Sequence, residues 1–223
     1  MKSRASILSK KFLMKKISSV YMNKNKCYDD DYYLKNHLNK INSIYGFFIE
    51  FYYRYLASYI FAKAARIEKS DKILDIGCGV GILVKQFNKL GFEAIGVDVN
   101  KPAIKNSIFP KKCLRVKTTA RLNFSDNYFD LIVSREALEH IPPEKIDDCI
   151  KEWDRVSKGK MVHIIAVSER GISAINDPSH VNVQSENWWI KKFKQHGYKA
   201  MRKPRKLFFS PFGSSGYLMF IKD

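Results

Sequence analysis

Three glycines in five residues, Gly77, Gly79 and Gly81, close the short apolar run LDIGCGVG at positions 74–81. Asp75 stands two residues before the first of them, and a second acid, Asp98, ends the run AIGVD, 17 residues after Gly81. Glycine lets a chain turn left-handed and lets a ligand approach the backbone closely. A carboxylate at the end of the next strand can accept hydrogen bonds from both hydroxyls of a ribose. The chemistry this set suits is the holding of a nucleoside. The spacing is G-x-G-x-G, with Ile82 where a dinucleotide fingerprint has its third glycine. Asp75 would repel a pyrophosphate and attract a cationic amino-acid group, so a dehydrogenase is the weaker reading of the turn. A second set, Glu136, Glu139 and His140 in SREALEH, is spaced i, i+3, i+4, so on a helical turn all three share one face. Two carboxylates and a histidine can bind a divalent cation such as Mg2+ or Mn2+. Without a metal, the histidine can serve as a base.

Positioning these groups requires strands alternating with helices. Strands are expected over 72–76, 93–97, 113–116, 129–134 and 161–167, and helices over 81–90, 102–106, 143–156 and 185–196. Gly91 and Gly197 read as helix stops and Ser185 as an N-cap. A closing pair of strands is expected over 198–202 and 217–221. The fold class is therefore α/β, a doubly wound, mostly parallel sheet that binds ligands at the carboxyl ends of its strands. Ahead of it, Ile41, Tyr45, Phe48, Tyr52, Tyr55 and Tyr59 recur at the period of one helical face. That stripe reads as core packing, as a lid over an apolar acceptor, or as both in different parts of the helix. The organisation expected is a basic tail over 1–26, a helical cap over 27–68 and a nucleoside-binding domain over 69–223.

The stretch ILDIGCGVGILVKQFNKLGFEAIGVDVN, with LNFSDNYFDLIVSREALEHI further on, resembles the class I S-adenosylmethionine-dependent methyltransferases. The resemblance covers about two thirds of the chain. It implies a Rossmann-like sheet of seven strands with an antiparallel last strand. It also implies that Asp75, Gly77 and Gly79 line the methionine end of the cofactor and that Asp98 holds the ribose. Cys78, Val99, Ser134 and Arg135 complete the implied contacts. Such enzymes often place an acid after the third strand for the adenine amino group, whereas this chain has KTTARLNF, which leaves Thr119 and the Ala120 backbone for that role. The E-x-x-E-H pattern resembles one in ubiquinone-pathway O-methyltransferases and small-RNA 2′-O-methyltransferases, where it binds metal. The metal set is then Glu136, Glu139, His140 and, by analogy with a later histidine in the RNA enzymes, His180 of NDPSHVN. The catalytic candidates are His140, His180 and Glu136.

The stretch directly after the fourth strand, SREALEH, holds no N/D-P-P-Y/F motif and no cysteine, which argues against methylation of an exocyclic base amine or a covalent pyrimidine mechanism. An O-methyltransferase acting on a small or lipid-linked hydroxylated molecule, such as a sugar or a quinone precursor, is the first reading. The net charge of +18, the basic tail and KAMRKPRK keep an RNA methyltransferase as the second. Lysine makes up 30 of the 40 basic residues, which weakens that inference because arginine is favoured at phosphate sites. A non-catalytic scaffold is the third. The first 26 residues hold eight Lys/Arg and no acid, so a tail making peripheral membrane contact is an alternative to a merely solvated one. The four cysteines are scattered without a CxxC pair, which suits reduced thiols in a cytoplasmic protein. Trp188 and Trp189 are expected in packing, and His163 as a buried, satisfied histidine.

Overall fold

The structure, a computed structural model, describes residues 46–168, 177, 179–201 and 215–222. The expected tail, much of the cap and most of KAMRKPRK lie outside those residues. Helix α1 (Gly46–Tyr55) runs on into a wider π-helical segment, Leu56–Lys63. The units that follow are β1 (Lys72–Ile76), α2 (Ile82–Lys89), β2 (Glu93–Asp98), α3 (Lys101–Lys105), β3 (Cys113–Arg115) and β4 (Leu131–Arg135). Then come α4 (Ile146–Val156), β5 (Lys160–Ala166), α5 (Glu186–Lys194), β6 (Tyr198–Ala200) and β7 (Ser215–Lys222).

The strand order is β3-β2-β1-β4-β5-β7-β6. β1 to β5 pair in parallel, and β7 runs antiparallel to both β5 and β6. This is the expected seven-stranded sheet with its reversed last strand. The chain leaves β3 at one edge and re-enters at β4, on the other side of β1. The carboxyl ends of β1 and β4 therefore adjoin where the winding direction reverses, the place where such sheets bind ligands. The central strands β1 and β4 are buried almost throughout because both faces of the sheet are covered. One face packs Leu74, Ile76, Ile132 and Met161 against Ile150 and Trp153 of α4 and Trp189 and Phe193 of α5. The other packs Ile73, Leu131, Val133 and Val162 against Leu83 and Phe87 of α2 and Leu56, Ile60 and Phe61 of the π-helical segment. The aromatic helix thus packs on the core through its second half, while Phe51 of α1 is 68% exposed.

Local signals explain the boundaries. Ser185 accepts from the Trp188 N–H at 3.0 Å and caps α5. Gly91, at φ 90°, stops α2. The fourth strand starts later than expected, at Leu131, and Phe129 only bridges to Ser157. Asp130 explains the delay. Its carboxylate accepts from the Lys72 N–H at 2.9 Å and the Lys158 ammonium at 2.7 Å. Among the described residues no helix is long and apolar enough to cross a membrane.

His163, in β5, is buried as expected but only half satisfied. Its Nδ1 shares a 2.8 Å hydrogen bond with the Ser134 hydroxyl, and its Nε2 has no hydrogen-bond partner among the described residues. Rings of Trp153, Phe193 and Phe220 surround it at 5.2–6.2 Å. Burial pushes its pKa down to about 3, so the folded protein holds the ring neutral. The unfolded chain takes up a proton below about pH 6.5, so this site costs stability as pH falls from there toward 3 and costs nothing above. The limiting slope is about 1.4 kcal/mol per pH unit. In urea titrations His163→Leu should therefore lose less stability than the wild type between pH 6.5 and 4.5. Identical slopes for the two proteins would overturn this reading.

Candidate active site

After β1 the chain reverses through Gly77, Gly79 and Gly81, at φ 72°, 56° and 84°, a conformation that side chains resist. The Gly77 and Cys78 N–H groups both donate to the Val97 carbonyl, at 2.9 and 3.1 Å. The expected reason for the glycines was ligand access. At two of the three positions the protein itself fills the space. A Cβ at Gly77 would lie 2.5 Å from the Ala137 Cβ, and one at Gly81 would lie 2.4 Å from the Cys113 Sγ. Gly77 is what lets the loop after β4 close on the turn.

Asp98 sits at the tip of β2, 9% exposed. Its Oδ2 accepts from the Gly79 N–H at 2.8 Å and its Oδ1 from the Asn100 N–H at 2.7 Å. Burial pushes its carboxyl upward, while N–H groups of Asn100, Gly79 and Val99 favour the charged form. Each oxygen spends one acceptor site on the backbone, and a carboxylate has further lone pairs for two hydroxyls. Val99 beside it is 51% exposed and offers an apolar surface.

Asp75 is 2% exposed, and among the described residues nothing donates a hydrogen bond to its carboxylate. Burial raises its pKa well above the usual carboxylate value. Cys113 and Asp98 add to the rise, and only Arg135 opposes it. A buried carboxylate in that state gains from a cation brought beside it. Arg135, at the end of β4, donates from Nη1 to the Tyr53 hydroxyl at 2.8 Å. Its guanidinium lies 5.1 and 5.7 Å from the Tyr53 and Tyr52 ring centres. This contact fastens α1 over the site, so the first half of the aromatic helix does reach the strand ends.

The segment 136–140 departs from expectation. Glu136 takes a left-handed conformation, φ 50°, and Leu138–His140 is a 3-10 turn, so the three polar residues do not share the face of an α-helix. The close Gly77–Ala137 approach accompanies that bend. Glu136 instead turns to Arg135, with its Oε2 3.3 Å from Nη2. Glu139, His140 and His180 come together without it, each offering one ligand atom within 4.8 Å of the others. Glu139 is fully buried. Its Oε1 accepts from the Ala166 N–H at 3.2 Å, and its Oε2 has no hydrogen-bond partner among the described residues. Burial pushes its carboxyl up to about 8. The Glu139 carbonyl accepts from the Val181 and Asn182 N–H groups at 2.9 Å each, which binds the His180 loop to this turn. His140 Nδ1 meets the Ser179 carbonyl at 3.0 Å. A carbonyl only accepts, so the proton resides on Nδ1 and a neutral ring carries its lone pair on Nε2. The two imidazoles meet edge to face at 4.8 Å.

Three further candidates lie elsewhere. Ser134 is turned into the core toward His163, because its position in β4 alternates with the site-facing ones. The Thr119 carbonyl accepts from the Trp153 indole at 3.0 Å, and its hydroxyl contacts the Cys149 sulfur at 3.5 Å. The Ala120 N–H is bonded to the Thr118 hydroxyl at 3.1 Å. These groups are already engaged within the protein. The reading of the sequence missed the Tyr53–Arg135 tie and the Ala137 contact. Only the left-over small residue at 137 hinted at either.

The chain was compared with known proteins. Residues 74–164 match a family model described as a methyltransferase domain. The chain is 30% identical over 111 residues to the ubiquinone biosynthesis O-methyltransferase of Pelagibacter ubique, covering 48% of this chain and 45% of that protein. It is 31% identical over 117 residues to the chloroplastic tocopherol O-methyltransferase of Arabidopsis thaliana, covering 48% and 33%. It thus spans less than half the length of either. Its fold matches the crystal structure of magnesium protoporphyrin IX methyltransferase from Synechocystis PCC 6803 with bound SAH, at TM-score 0.65 and 15% identity, over 87% of this chain and 98% of that one. The segment 74–164, which carries the glycine turn and the acid-tipped second strand, is thus the part of the chain that matches a methyltransferase domain, on a fold shared with a solved methyltransferase.

Proposed function

We propose that this protein transfers the methyl group of S-adenosylmethionine to a hydroxyl of a small or lipid-linked molecule. The observation that carries the cofactor reading is the pair of buried carboxylates flanking the turn. Asp75, to which no described residue donates a hydrogen bond, suits the ammonium of the methionine moiety, and Asp98 suits the ribose hydroxyls. When bound, the cofactor supplies a methyl on a positively charged sulfur, ready for in-line displacement. Alignment then carries much of the rate. The turn and Asp98 fix one partner. The Glu139–His140–His180 cluster and the tyrosines of α1 would receive the other.

A hydroxyl acceptor must lose its proton. His140, its Nδ1–H held by the Ser179 carbonyl, carries its lone pair on Nε2 and belongs to the cluster with Glu139 and His180. The same groups fit a divalent cation. Glu139 keeps a buried oxygen without a hydrogen bond, and a metal-binding histidine characteristically donates its other N–H to a backbone carbonyl. Glu139, His140 and His180 would hold the ion, which would lower the pKa of the acceptor hydroxyl. The two curated relatives act, by their names, in ubiquinone biosynthesis and on tocopherol, which supports an acceptor with an aromatic hydroxyl. Tyr52 and Tyr53 add apolar surface above the strand ends.

Three expectations follow from this reading. Asp98→Ala should weaken S-adenosylhomocysteine binding by about 10–100-fold in calorimetry, the worth of hydrogen bonds to a charged group. Unchanged affinity would remove the ribose assignment. EDTA should suppress turnover, with Mg2+ or Mn2+ restoring it. Mn2+ should also bind the resting protein stoichiometrically by paramagnetic resonance, and Glu139→Gln should abolish that signal. Full activity in chelator would leave His140 as the base. RNA association, measured by filter binding, should be weak at 150 mM salt. Submicromolar binding there, with RNA methylated, would replace the small-molecule acceptor by RNA.

A further inference from the structure

Cys78 and Cys113 are 35 residues apart in sequence and meet beneath the glycine turn. Cys78 is the central residue of Gly77-Cys78-Gly79, and Cys113 opens β3. Gly96 of β2 brings them together. Cys113 is its direct partner across the β2–β3 ladder. A Cβ at Gly96 would lie 2.5 Å from the Cys78 Cβ and 2.7 Å from its Sγ. Gly81 clears the other side, where a Cβ would lie 2.4 Å from the Cys113 Sγ. Two positions without side chains thus make room for two sulfurs on either side of the β2 edge. Both are free cysteines, at 9% and 3% exposure.

The pair is also polarised. The neighbouring Cys113, with burial, raises the Cys78 thiol well above its usual value. The neighbouring Cys78, helped by Ser107 and opposed by burial, brings Cys113 down to about 7. One sulfur is thus the readier thiolate, and its neighbour keeps the proton. This is the division of labour that an attacking and a resolving thiol require.

We propose that Cys78 and Cys113 form a reversible disulfide on exposure to a hydroperoxide, and that the cross-link draws the glycine turn out of its cofactor-holding shape. The Cys113 thiolate attacks one peroxide oxygen. An S–O bond forms, the O–O bond breaks, and the departing oxygen leaves as water after taking a proton. The Cys78 sulfur then displaces the hydroxyl of the sulfenic acid, forming the S–S bond and releasing a second water. In sum, two thiols and one H2O2 give one disulfide and two waters. A dithiol reductant reverses the change. An S–S bond is ~2.05 Å long and both thiols are free, so joining them draws Cys78 toward β3. Its neighbours cannot follow freely, because Gly77 is stopped by Ala137 and Gly79 is bonded to Asp98.

The disulfide stands on its own geometry, while its effect on the cofactor rests on the function proposed above. The test is treatment of the full chain with hydrogen peroxide, alkylation of remaining thiols and peptide mass mapping. A linked Cys78–Cys113 peptide pair, lost on adding dithiothreitol, is expected. Calorimetry with S-adenosylhomocysteine should show at least tenfold weaker binding after oxidation, restored by the reductant. Cys113→Ser should keep its affinity through the peroxide step, and Cys149→Ser should remain sensitive. Alkylation of both cysteines after peroxide, or their separate oxidation without a link, overturns the proposal. A linked pair with unchanged affinity overturns the effect on the turn. If neither redox form binds the nucleoside, the proposed function fails, while the linked peptide still establishes the disulfide.

Discussion

The Asp98 carboxylate is the tie on which the site depends. Its two oxygens take one N–H from the glycine turn and one from the start of α3, so two loops on either side of β2 are held by one side chain. The Asn100 side chain then accepts from the Ala103 N–H at 2.9 Å and fixes the first turn of α3. Burial pushes this carboxyl upward, and the donated N–H groups oppose that rise by favouring the charged form. The shape of the turn and the charge that would meet a ribose are therefore one arrangement.

A second constraint works by volume. Ala137 can rest against Gly77 only because residue 77 has no side chain. That contact accompanies the left-handed turn at Glu136, which sends Glu136 toward Arg135 and leaves Glu139 in the interior. Glu139 then works through three groups: a side-chain oxygen on β5, a carbonyl on the His180 loop and a second oxygen left for the site. The Glu139 side of the site thus inherits its geometry from the glycine-turn side. Arg135 carries the same linkage outward to Tyr53 and so to α1.

The order of elements was legible because their periods are local. KILDI, with apolar residues on both faces, must lie inside a covered sheet. Ser185 marks a helix end through a hydrogen bond of its own side chain, and Gly91 marks one because it lacks a side chain and so accepts a left-handed dihedral. Asp75 and Asp98 were legible for a similar reason, since each stands at a fixed step from a strand end. Ser134 was misplaced because a strand end does not reveal which face its last residues present. The partners of Thr119 and Ala120, namely Trp153, Cys149 and Thr118, were not legible because they come from packing rather than from spacing. The helical turn expected at 136–140 failed because a contact with residue 77, about 60 positions earlier, bends the backbone there.

The sequence by itself determined the α/β sheet, the glycine turn, the acid at the tip of β2 and the pairing of Glu139 with His140, because those depend on spacings of a few residues. Only the tertiary structure decided which side chains fill the space beside the glycines, and that His180 joins Glu139 and His140 while Glu136 leaves them. It alone brought Cys78 to Cys113 across Gly96, and Tyr53 to Arg135. These are matters of volume and of burial between distant segments. Chain spacing fixes neither until the sheet has brought the segments together.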